Sequence, residues 1–121
     1  MKTAKDPRHL NRISLMQELF TWSFQPKKKP TLAIKPILSH LKQIDKLIAQ
    51  AATDRPIEEI NKIDLAILRL AVFEFKYKKD TPPKVVIDEA VELGKEYGSD
   101  SSSALINGAL GKIVQIAGIK T

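Results

Sequence analysis

The chain has 121 residues, enough for one domain with a modest core, and its 43% hydrophobic and 28% charged content is that of an ordinary globular protein. Disulfide and thiolate chemistry are excluded because there is no cysteine; no apolar run nears the roughly 20 residues that span a bilayer, and MKTAKDPRHL lacks a secretory apolar stretch, so a cytoplasmic location is expected. The net charge of +6 is uneven: residues 1–30 hold seven basic and two acidic side chains and the remaining 91 hold 13 and 12, so a polyanionic partner would be met at the N-terminal end.

Lys2 and Lys5 belong to a basic arm, residues 1–8, ahead of the first element. Ile13, Met16, Phe20 and Phe24 then recur at helical spacing, and Arg8 and Arg12, four apart, stack along one side at the edge of that stripe. QPKKKP ends the helix, since two prolines bracket three like charges. Pro36 suits the first turn of a second helix with Ile37, Leu41, Ile44 and Ile48 as its apolar face; His40 falls beside that face and reads as structural. Thr53 or Asp54 is the expected cap of a short turn, IEEI. From about Lys62 to Tyr77 the chain is apolar nearly all round, which predicts a helix in the middle of the domain. Thr81 and the prolines after it open a further helix with Val86, Ala90, Leu93 and Tyr97 inward, stopping at Gly98. Glu89, Glu92 and Glu96 share its polar face and read as solvated. Ser99 or Asp100 caps a last helix running to about Ala117. No strand pattern competes, and short loops favour antiparallel neighbours, so the fold class is all-α.

Arg69 interrupts the apolar helix. Unpaired and buried, its guanidinium would cost several kcal/mol, so it needs a carboxylate. Glu74 further along the helix and Asp88 or Glu89 on the next one are the candidates, giving a structural ion pair of Arg69 with Glu74 and Glu89. Enzyme signals are absent: there is no glycine-rich phosphate loop, HExxH or nucleophile elbow. His9 and His40 stand alone, so no metal and no cofactor is expected. The residues by themselves support a basic helical module suited to nucleic acid, with aromatics at helix ends available for base stacking.

The C-terminal half carries three linked motifs. Leu68-Arg69 is followed by Phe73-Glu74; a proline-started helix holds Asp88-Glu89-Ala90; a serine-opened helix holds Ile106-Asn107-Gly108-Ala109-Leu110. In this order they resemble the NusB family of bacterial transcription antitermination factors, and RHLNRISLMQELFTW is similar, more loosely, to that family's arginine-rich first helix. The resemblance implies an all-α fold of about six helices in two small packed bundles, the N-terminal one shortened between Phe24 and Leu32. It implies a non-enzymatic role: binding single-stranded boxA-type RNA together with a small-subunit ribosomal protein, NusE, within an RNA polymerase antitermination complex on ribosomal RNA operons. Carried over by position, Arg8, His9 and Arg12 contact RNA from the first helix, with Lys2 and Lys5 on the arm. Tyr97, Ser101 and Leu105 form a second RNA patch where the last two helices meet. Contacts to the protein partner are expected on exposed positions of the first helix and near Asp64; a monomer and a homodimer both stay open. The alternative function is a helical RNA- or substrate-docking module acting with a separate ribosomal RNA methyltransferase.

Overall fold

The computed structural model describes residues 6–120, so Lys2 and Lys5 lie outside the described residues. Six α-helices follow one another within them: α1 (Pro7–Phe24), α2 (Lys35–Leu38), α3 (Leu41–Ala51), α4 (Lys62–Phe73), α5 (Pro83–Tyr97) and α6 (Ser102–Ile116). A 3₁₀ turn, Ile57–Glu59, precedes α4 and a π-turn, Glu74–Lys78, follows it. There is no strand among the described residues.

Local chemistry explains most of the boundaries. Asp6 caps α1 by accepting the Arg8 N–H at 2.9 Å, with Pro7 at the first helical position. Asn61 caps α4 in the same way, accepting from Ile63 at 2.8 Å and Asp64 at 3.4 Å. Because α4 is apolar on every side, every residue from Asp64 to Val72 is buried, and α1, α3, α5 and α6 all pack against it. α5 and α6 also pack on each other, which completes the C-terminal bundle; α1 to α3 lean on α4 as the smaller N-terminal one. One continuous core joins the two through Met16, Leu19, Ile48, Leu68, Leu93 and Leu110.

Several expected boundaries move. The second helix is broken at Ser39 and His40 into α2 and α3. There the Ser39 hydroxyl donates to the Pro36 carbonyl at 2.7 Å, and the His40 ring stacks on Tyr77 with centroids 3.7 Å apart and planes 10° from parallel. Pro82 rather than Thr81 stands at the start of α5, and Ser101 rather than Ser99 or Asp100 at the start of α6. Ser102, inside α6, closes that corner by accepting the Ser99 N–H at 2.9 Å. Gly98 is required there by proximity, since a Cβ would lie 2.3 Å from the Ser102 hydroxyl and 2.8 Å from the Gly94 carbonyl oxygen.

Arg69 is buried, as expected, but its partner is neither Glu74 nor Glu89. Its Nε and Nη2 donate to the two oxygens of Asp45 on α3, both at 2.9 Å, and Trp22 lies alongside with its ring centroid 5.9 Å from the guanidinium carbon. Glu74, five residues on, projects about 140° around the helix from Arg69, toward α1 instead of α3.

Candidate nucleic-acid interface

The N-terminal half of α1 is held by a network of ions that the sequence shows only as separate letters. His9 is 4% exposed. Its Nδ1 lies 3.2 Å from Glu89 and its Nε2 lies 3.1 Å from Glu96, two carboxylates seven residues apart on one face of α5. One turn further along α1, Arg12 donates through Nε and Nη2 to the two oxygens of Glu74 at 2.9 and 2.7 Å, and through Nη1 to Glu89 at 3.5 Å. The Glu74 hydrogen bond is the largest influence on this guanidinium and raises its pKa against the opposing effect of burial. Glu89 thus serves both α1 side chains, so the expectation of a solvated face is corrected there, while Glu96 is exposed and still pairs with His9. Glu89, only 13% exposed, is the carboxylate whose burial demands cationic or hydrogen-bonding partners.

Arg8 and Arg12 differ in exposure and partners. Four residues advance a helix by 400°, so Arg12 sits 40° further round than Arg8, enough at the edge of the stripe to turn it inward. The Arg8 side chain is 84% exposed, with its Nε 3.8 Å from the cap, Asp6. Glu96 precedes Tyr97, so the His9–Glu96 contact brings the start of α1 beside the end of α5. Arg8, Tyr97 and Ser101 are all exposed at this end of the molecule. Leu105 is half-buried and packs against the core. The His9–Glu96 contact thus sets the helix start that carries Arg8 against the helix end that carries Tyr97, while His9 and Arg12 are engaged by carboxylates.

A groove of about 460 Å³ opens on the other flank of α1, between Arg8, Asn11 and Arg12 and the residues Phe73, Glu74 and Lys78. Lys78 and Asn11 were not singled out from the sequence; the basic run KYKK at the π-turn was the available signal. Asp64, expected near a partner surface, is 3% exposed at the first turn of α4, with one carboxylate oxygen lacking a hydrogen-bond partner. The positive end of the helix dipole favours its charge there. Among the described residues no cluster of three or more His, Cys, Asp or Glu could hold a metal ion, and no helix is long and apolar enough to cross a membrane.

A family model for the NusB family matches residues 25–115. The chain belongs to the NusB family. The transcription antitermination protein NusB of Agathobacter rectalis is 49% identical over 76 residues, which is 63% of this chain and 58% of that relative. The chain thus spans little more than half the length of that curated relative. Among solved structures, T. maritima NusB superposes with a TM-score of 0.83 at 30% identity, covering 95% of this chain and 93% of that one. A chain from the crystal structure of the antitermination factors NusB and NusE in complex with dsRNA superposes with a TM-score of 0.77 at 21% identity, over 90% of this chain and 96% of that one, a likeness of fold. The family-model match begins after α1, but the T. maritima superposition takes in nearly the whole chain, so the NusB family fold includes the helix that carries Arg8.

Proposed function

We propose that residues 1–121 form one RNA-binding domain that acts in the cytoplasm in transcription antitermination. It binds boxA-type single-stranded RNA jointly with the ribosomal protein NusE, in a complex with RNA polymerase that promotes ribosomal RNA transcription. The observation that carries this reading is the outward-facing Arg8 at the start of α1, a helix end that the His9–Glu96 contact sets against the end of α5, where Tyr97 stands. Family membership and the fold neighbour, a complex of NusB and NusE with dsRNA, support its RNA-binding and NusE parts. Arg8, with Lys2 and Lys5 ahead of it, takes phosphates; the Tyr97 ring offers a base platform and Ser101 a hydroxyl. His9 and Arg12 hold this surface in place rather than contact the strand, and Leu105 backs it from the core side.

The test is fluorescence anisotropy with a boxA-like single strand, a scrambled strand and a duplex, each with and without NusE. The boxA-like strand should bind tightest with NusE present, and log affinity should fall with log salt by about 0.7 per phosphate neutralised. Equal affinity for boxA-like and scrambled strands in both conditions overturns the reading. So does a pull-down that recovers a ribosomal RNA methyltransferase and no transcription component.

A further inference from the structure

α1 has a second cationic end. Asn11, Ser14, Gln17, Thr21 and Gln25 are exposed and uncharged, and their three- and four-residue spacing lays them along the outer face of the helix. Beyond that face the chain doubles back through Lys27, Lys28 and Lys29, all exposed, with the Lys28 N–H donating to the Gln25 carbonyl at 3.0 Å. Pro26 and Pro30 restrict the backbone on either side of the lysines. This turn and the end of α1 enclose a groove of about 360 Å³ lined by Gln17, Thr21, Trp22, Gln25, Lys28 and Lys29, among others. Glu18 is the acidic side chain on its wall, and its carboxylate is occupied by the Thr31 hydroxyl.

Two ammonium groups, side-chain amides and a half-buried indole form the combination that binds single-stranded nucleic acid: charges for phosphates, an aromatic for a base, and neutral hydrogen-bonding groups between. The lysines outweigh the partial negative charge, about half a unit, at the C-terminus of α1. The outer face between the two cationic ends carries no repelling charge other than the engaged Glu18.

Resting on the RNA-binding reading above, we infer that this groove is a second contact for the same strand. RNA that meets Arg8 runs along the outer face of α1 and is held again at Lys28 and Lys29. From Arg8 to Gln25 the helix rises about 26 Å, the length of roughly eight stacked nucleotides at about 3.4 Å each.

The experiment compares a boxA-like single strand with the same strand extended by about eight unstructured nucleotides, on its 5′ side and its 3′ side in turn, with NusE present. One extension should tighten binding about tenfold, whatever its base sequence, and steepen the salt slope by about 1.4, the value for two further phosphates. Lys28→Ala with Lys29→Ala, both exposed and free of core contacts, should abolish that gain and leave the short strand's affinity unchanged. Binding of the short strand with no gain from either extension overturns the track alone, as does a gain that the double variant keeps or that a duplex extension matches. No binding of the short strand overturns both readings.

Discussion

Replacing Glu74 by glutamine removes the charge that faces Arg12 while keeping nearly the same shape. The two side chains are 8% and 11% exposed and joined by hydrogen bonds of 2.9 and 2.7 Å. Breaking a buried pair from one side typically costs about 3–5 kcal/mol, because the surviving charge keeps its desolvation penalty without its partner. Glu89, 3.5 Å from Arg12, remains to share that charge, so the loss should sit at the lower end, about 3 kcal/mol. Arg12→Met strands Glu74 instead and should cost at least as much. The double variant Arg12→Met, Glu74→Leu leaves no ion at that contact and should recover to within about 1.5 kcal/mol of the parent. Urea unfolding followed by far-ultraviolet circular dichroism reads this directly: with a slope near 1.5 kcal/mol per molar, a 3 kcal/mol loss lowers the midpoint by about 2 M. Single variants that lose less than about 1 kcal/mol, or a double variant as unstable as the sum of both, would refute the coupling. The same double variant separates fold from function, since it deletes the guanidinium together with Glu74 and leaves Glu89 its contact with His9. Its RNA affinity should stay within about twofold of the parent, and a tenfold loss would make Arg12 a direct contact. The raised pKa of Arg12 also has a sign: its contribution is complete below the unfolded value and fades only as pH rises through the higher folded one. Its charge should therefore cause no loss of stability between neutral and mildly alkaline pH in the same assay.

Asp45→Asn should cost about 1–3 kcal/mol in urea unfolding, discounted because Asp45 is 27% exposed, whereas Asp88→Asn, a further candidate read from the sequence, should change little; the reverse order would make Asp88 the partner of Arg69. Gly98→Ala should lower stability by about 1–3 kcal/mol and the thermal midpoint by several degrees, because part of the obstruction is backbone; an unchanged midpoint would show that the α5–α6 corner is slack. Arg8→Ala should leave stability within about 0.5 kcal/mol and flatten the salt dependence of RNA binding by about 0.7, measured by anisotropy. Leu110→Ala, at 0% exposure, should cost about 2–5 kcal/mol in urea unfolding.

The helices were legible because their apolar residues keep a 3.6-residue period, and α4 was recognisable as central because it has no polar face. The requirement that Arg69 find a carboxylate was legible too. Which carboxylate was not: Asp45 lies 24 residues earlier, on a helix whose placement against α4 follows from the packing of Ile44 and Ile48. The functional surface shows the same division. Arg8 and Arg12 look equivalent as letters, and a 40° offset sends one to solvent and the other to Glu74. His9 is isolated in residue order, and its two acidic neighbours stand 80 and 87 residues away.

Helix positions, prolines that open or end them and the excess of positive charge near the N-terminus could be read from residue order, because they depend on backbone sterics, on capping groups a few residues apart and on simple counting. Ion pairing, the break at His40 and the division of α1 between struts and an outward cation came from packing. Those outcomes depend on which helix faces which, a matter of contacts a few ångströms across in space between groups as much as 87 positions apart in the chain.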